Sequence, residues 1–350
     1  MKGLFALLGI FIIPLYGQEI IQQRPIIPAG QLKILERVDF WELPSIKTEV
    51  AIAKDRRIAQ IERKKGMCYL YLISKGAKRL IAQAQRIYHP VFSPDGSKMA
   101  YGFRTERKAK GQIGIVDLQT GKKRIIHQEG KNVGWVSLSS SGDSVAYRVE
   151  SKEAEFKRRK YHIEICPTWE DNPWVVLKGN VPIWSPKSDK IAYTRIEYEG
   201  IRGVPYIWVY DLKTKRSLKL KNSKGGGGMD LRWSPIGVKI ADSIEGIIIF
   251  DLESGDTVRI GKFEDHSPTW SPDGSKLAFV RPYLTEKGEL LNEDIFVVNE
   301  DGSDLRNLTT TPDVIENRPI WLSPNEILVR AESRKGIQIE ILKLNQWKRR

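Results

Sequence analysis

This chain has few residues suited to cross-linking, metal binding or crossing a membrane. Of its 350 residues only two are cysteine, Cys68 and Cys166, which makes no disulfide framework for a chain of this size. Histidine occurs four times, at His89, His127, His162 and His266, and no pair stands at a metal-ligand spacing such as His-x-x-x-His. That pattern implies no metal site and no cofactor. The longest apolar stretch, Leu4 to Pro14, is too short for a comfortable membrane span. No Gly-x-Ser-x-Gly elbow occurs, so no α/β-hydrolase nucleophile is encoded. No sustained helical period follows the first residues, which excludes helical bundles and α/β architectures.

What the chain does have is basic charge, an apolar start and a recurring phrase. Formal net charge is +14, which favours acidic partners such as an acidic protein face or an anionic polymer. Residues 1–17 read as a secretory signal peptide: Lys2 precedes the apolar stretch and Gly17 is a small residue at the cut. The expectation is a periplasmic or secreted protein with no stable membrane insertion after cleavage. Export makes nucleic acid an unsuitable partner despite the charge. A monomer is expected.

The phrase "HPVFSPDGSKMAY" at 89 returns as "WVSLSSSGDSVAY" at 135, "VPIWSPKSDKIAY" at 181, "DLRWSPIGVKIAD" at 230, "SPTWSPDGSKLAF" at 267 and "RPIWLSPNEILVR" at 318. A worn copy, "TEVAIAKDRRIAQI", begins at Thr48. The residues before each turn, Phe92, Leu138, Trp184, Trp233, Trp270 and Trp321, are spaced by 46, 46, 49, 37 and 51 positions. Such a period belongs to an array of supersecondary units with loops of variable length. Each unit reads as four strands, here called a to d. Strand a ends at the anchor, and Ser-Pro-Asp-Gly then has the chemistry of a type I turn. Strand b alternates ("KLAFV"), strand c is β-branched ("GIIIFDL", "YIWVYDL"), and a second turn leads to strand d ("TVRI").

A small twisted sheet has two apolar faces and hides neither alone. Radial stacking covers both, so the expected fold is all-β: a single β-propeller of four-stranded antiparallel blades over residues 48–350. Seven copies predict seven blades, with six as the alternative if the worn copy is not a full blade. Residues 18–47 contain the strand-like "GQLKILERVDFWEL", which is able to add an outer strand to the last blade and latch the ring, because the final run "NQWKRR" is short. Cys68 and Cys166 then fall in strands c of different blades, beyond the reach of a disulfide.

The phrase Pro-x-Trp-Ser-Pro-Asp-Gly-x-x-(Ile/Leu)-Ala-(Phe/Tyr) resembles the propeller repeat of the TolB family and its WD-like relatives. It is carried best by Pro268 to Phe279 and Pro90 to Tyr101, with Pro182 to Tyr193 next. The resemblance covers nearly the whole chain after residue 17. It implies the propeller fold and, by analogy with TolB, recognition of a cell-envelope protein. TolB has an α/β domain ahead of six blades, whereas only residues 18–47 stand here before the first repeat. The same repeats occur in propellers of prolyl-oligopeptidase-like peptidases and of an oligogalacturonate lyase, so they speak for fold before function. A propeller-plus-hydrolase peptidase does not fit the length of this chain.

In a four-stranded blade the a–b and c–d turns share one face of the wheel, while b–c loops and d–a links share the other. Asp95 and Asp273 therefore read as turn formers, and the Trp and Phe anchors as inter-blade core. "KNSKGGGGMD" at 221–230 reads as a flexible d–a link, since no helix follows to complete a phosphate cradle. The long charged loops at 104, 150, 195 and 281 gather on the second face, where Lys157, Arg158, Arg159 and Lys160 form a basic docking cluster. Around the central channel, the positions just before strand a vary in type: His89, Trp135, Val181, Asp230, Ser267 and Arg318. Of these, with the adjacent His266, the candidate contacts are His89, Trp135, Asp230, His266 and Arg318. The reading drawn from these features is a non-enzymatic propeller, with no catalytic residues, that binds a protein or anionic envelope polymer. The alternative is a polysaccharide-acting lyase or hydrolase with its site at the channel mouth.

Overall fold

The computed structural model describes residues 34–43, 49–126, 131–152, 159–170, 172–228, 230–312, 314–334 and 336–345. Among them every regular element is a β-strand. Five four-stranded antiparallel sheets cover residues 49–84, 86–126, 132–178, 180–219 and 232–260. An eight-stranded sheet comprises two further groups of four, joined only where Glu293 pairs with Ile315. The first of these groups spans residues 266–307. The second takes three strands from 315–344, and its fourth is Ile34–Leu43, antiparallel to Gly336–Leu344 along its length. That outer strand comes from the beginning of the chain. Of "NQWKRR", residues 346–350 lie outside the described set.

Local chemistry makes each hairpin. In the second sheet, Gly96 N–H donates to Ser93 O at 2.8 Å, closing the turn, and Gly96 takes φ +73°. Asp95 accepts from the Ser97 amide at 2.9 Å and the Ser93 hydroxyl at 2.6 Å. Asp273 repeats this with the Ser275 amide at 3.1 Å and the Ser271 hydroxyl at 2.6 Å, and its carboxyl is pulled down to about 2. Both aspartates are bonded within their turns.

Strand c is buried on both faces, as in Ile247–Asp251, which explains its unbroken apolar sequence. The outer strands alternate between exposed and covered positions, as in Lys123–Ile126. Seven apolar clusters fill the seams between neighbouring sheets. One holds Cys68 and Met99 between the first two sheets, the next holds Val145 and Cys166, and Phe279 lies in the seam between the fifth and sixth groups. Both cysteines are buried in separate clusters, and no disulfide joins them. The anchors cross these seams: Trp233 Nε1 donates to Ile183 O at 3.1 Å and Trp270 Nε1 to Arg232 O at 3.2 Å.

Two of the expected long loops are hairpins. Lys190–Glu199 pairs with Arg202–Asp211 up to a tight turn containing Gly200 at φ +63°, and Lys276–Leu284 pairs with Leu290–Asn299.

Candidate functional site

Strand a of five groups contains the same defect near its start. His89, Trp135, Val181, Ser267 and Arg318 all have φ between +49° and +55°, and in each case the register against strand b slips at that point. These are β-bulges with a left-handed non-glycine residue, a conformation that costs about 1–3 kcal/mol and tends to gather at functional rims. The varied column singled out in the sequence is therefore one backbone feature repeated from sheet to sheet. Asp230 differs: it precedes the short strand Arg232–Trp233 and keeps an ordinary φ.

His89 and Trp135 meet, with ring centroids 4.8 Å apart and planes within 21°. Tyr88 packs edge-on against His89 at 5.7 Å, and the Arg148 guanidinium lies 5.9 Å over the Trp135 ring and 5.1 Å over Tyr161. Glu49, from the first sheet, accepts the His89 amide at 3.1 Å. Burial, with the positive charges of Arg148, Arg318 and Arg86, lowers the His89 pKa against the pull of Glu49. Arg318 opens to solvent, yet the protein crowding its guanidinium and the nearby Arg330 lower its pKa too. Arg330 itself bonds Glu332 at 3.2 Å. This side of the site is a cationic group around an aromatic pair.

Asp230 and His266 belong to a second group, of opposite sign. Asp230 accepts the Ser267 amide at 3.1 Å and the Ser243 hydroxyl at 3.0 Å. His266 Nε2 lies 3.3 Å from Glu293 Oε1 and its Nδ1 lies 3.1 Å from Ser267 Oγ. Asn317 donates to the other Glu293 oxygen at 3.0 Å. Burial alone would lower the His266 pKa, but the Glu293 bond and the charges of Glu293, Asp230 and Asp265 outweigh it and raise the pKa. The two groups are joined by the dipeptide Asn317–Arg318, one residue serving each.

The structure thus brings His89 and Trp135 into contact, relates Arg318 to them through shared charges, and pairs Asp230 with His266 through Ser267. Lys157 and Arg158 lie outside the described residues. Arg159 and Lys160 are described only as backbone, paired with Lys152 and Ser151. The sequence reading missed Glu49, Arg148, Arg330, Glu293 and Asn317. A signal existed for two of them: Arg148 and Arg330 occupy the same column of strand b, each paired with the residue just before its bulge, Gly134 and Asn317.

The glycine-rich link is held in place, which corrects the expectation of a flexible segment. Gly225 N–H donates to Pro205 O at 2.8 Å, Gly227 N–H donates to Asp242 Oδ2 at 2.6 Å, and the Thr194 hydroxyl donates to Gly227 O. A Cβ on Gly226 would press on the tip of Ile244, and Gly227, at φ +86° with Thr194 within 2.3 Å of any Cβ, leaves room only for glycine. Asp242 stands where other sheets carry Tyr101, Tyr147, Tyr193 or Phe279, and the link fills the space of the missing ring. Burial pushes the Asp242 carboxyl up to about 6.

Among the described residues no three His, Cys, Asp or Glu side chains gather to hold a metal ion. No helix among them is long and apolar enough to cross a membrane.

No family model matches the chain. Among solved structures, an oligogalacturonate lyase from Vibrio parahaemolyticus superposes with a TM-score of 0.62 at 12% identity, over 90% of this chain and 98% of that one. An acylaminoacyl peptidase from Pyrococcus horikoshii superposes with a TM-score of 0.59 at 12% identity, over 89% of this chain. This chain spans 53% of that peptidase. TolB from Acinetobacter baumannii gives 0.43 at 18% identity, over 82% of this chain and 79% of that one, too low to carry an argument. At these identities the likeness establishes the fold, a β-propeller, and no more. That fold does not carry the expected non-enzymatic role: the two structures of better fit are both enzymes.

Proposed function

We propose that this protein is an exported propeller of seven blades that cleaves an anionic polysaccharide at the mouth of its channel. The blade count rests on the seven seams. The last of them packs Leu328, Ile337 and Ile339 against Val50 and Ile52 of the first sheet, and Arg56 pairs with Glu326 across it at 3.0 Å. Export rests on the pattern of residues 1–17.

The observation that carries the function is the cationic group around the His89–Trp135 pair. Arg148 and Arg318 both bear on His89, Arg330 bears on Arg318, and Glu49 is the acid whose charge bears on both His89 and Arg318. A positively charged rim of this kind draws an anion. A sugar carboxylate supplies that anion, while the aromatic pair offers a flat apolar face to the ring. Arginines on a carboxylate also stabilise the charge that develops when the neighbouring C–H proton is removed, the first step of an eliminative cleavage.

The purified chain is expected to cleave polygalacturonate or alginate and to leave amylose intact, read as new reducing ends and as ultraviolet absorbance of an unsaturated product. Arg318→Gln with Arg148→Gln is expected to lower kcat/KM by about 10²-fold or more. Equal action on amylose, or no action on any acidic polymer, would overturn the reading.

A further inference from the structure

Elimination or hydrolysis at a glycosidic bond leaves a sugar oxygen that must take up a proton. The side of the mouth opposite in sign to the arginines holds one chain of groups built to give it. Ser267 and His266 are both half-buried at the bulge of the sixth group. Glu293, 8% exposed, holds Nε2, and Asn317 from the next group fixes the second carboxylate oxygen. The other ring nitrogen faces the Ser267 hydroxyl, which has Asp230 Oδ1 beyond it at 3.5 Å. The charged groups around His266 are Glu293 on strand c, Asp230 on the link before the fifth sheet, and Asp265 on the link before its own strand. Asp265 is already held bidentately by Arg281 at 2.8 and 2.6 Å. Carboxylates on three elements favour the imidazolium, the form in which Nε2–H donates to Glu293 and Nδ1–H to Ser267 Oγ.

We propose that His266 and Ser267 form the proton-donating unit of the cleavage, with Glu293 and Asn317 as positioning residues. The Ser267 hydroxyl proton passes to the departing sugar oxygen, which keeps the electron pair of the broken C–O bond; the carbon is completed by the C–H electron pair in elimination or by water in hydrolysis, and the proton released there passes to solvent. The Nδ1 proton of His266 replaces it on Ser267, and solvent then restores the imidazolium. This inference rests on the polysaccharide-cleaving reading. It differs from a serine nucleophile, because an imidazolium beside the hydroxyl donates to it and does not accept from it.

The test joins two measurements on the full chain. The His266 Cε1–H resonance is titrated in the wild type and in Glu293→Gln, and the pH profile of polygalacturonate cleavage is taken for both. The alkaline limb of kcat is expected to coincide with the His266 midpoint, and both are expected to fall by about one pH unit in Glu293→Gln. His266→Gln is expected to lose about 10²-fold or more in kcat with KM little changed. A midpoint unmoved by Glu293→Gln overturns the proposal, as does a limb that ignores the midpoint. Covalent capture of Ser267 by a fluorophosphonate would make it a nucleophile and equally reject the scheme. A wild type that cleaves nothing sinks the parent reading; one that cleaves with no dependence on His266 sinks this inference alone.

Discussion

Single residues here are set by what the repeat leaves open. The alternation of small and aromatic residues in strand b predicts a ring at position 242, and an aspartate stands there, holding Gly227 in the space a ring would fill. Its carboxyl titrates near 6 when folded against 3.8 when free, so the folded state binds more protons between those values. Stability is therefore fully present below pH 3.8 and declines as pH rises through about 6, by about 3 kcal/mol in all. Urea midpoints taken at pH 4, 5 and 7 are expected to show this decline, and Asp242→Asn is expected to flatten it. A slope unchanged in the variant would remove Asp242 as its source. Turn aspartates such as Asp95 and Asp273 were readable from sequence because their partners lie within two residues. The partners of His89, Glu49 and Arg148, lie 40 and 59 positions away, and only the ring's curvature brings them close.

At the scale of elements, the strand Ile34–Leu43 is tied to the last group by more than its ladder. Arg37 pairs with the fully buried Glu316 and, at 3.1 Å, with Glu340, while the Thr311 hydroxyl bonds the other Glu316 oxygen at 2.8 Å. Burial raises the Glu316 pKa against the pull of Arg37. Arg37→Met leaves that carboxylate uncompensated, at a cost on the order of 2 kcal/mol. A fully buried pair would cost more, but the Arg37 side chain keeps 30% of its surface exposed. Urea denaturation of Arg37→Met, and of Arg37→Met with Glu316→Gln, is expected to show loss and then substantial recovery. Strand identity and the position of the a–b turns were legible because strand periodicity and Pro-Asp-Gly chemistry are local. The bulges were not, since nothing local marks Val181 or Trp135 as left-handed. That conformation comes from the way each strand a must bend at the rim.

On the scale of the whole molecule, the seams between sheets carry the stability, each shared by two neighbours. Removing residues 1–43 uncovers the full edge of Gly336–Leu344 and strips Ile34 from its seam. An open edge recruits another strand. The truncated chain is expected to elute as dimers or larger species and to melt earlier than the intact protein. A monomer of unchanged melting temperature would show that the strand is dispensable. The period of the opening phrase made this architecture visible in sequence, but the repeat count alone did not say which segment would complete the last sheet.

That same strand gives the protein a clock. Its partner, Gly336–Leu344, is synthesised only after every sheet that lies between them in the sequence, so the strand waits for all of that chain. At about 5–20 residues per second, this delay amounts to roughly 15–60 s during which a ten-residue strand stays unpaired. Premature termination before Gly336 would leave it without a mate, so quality control needs only to sense whether that strand has been covered.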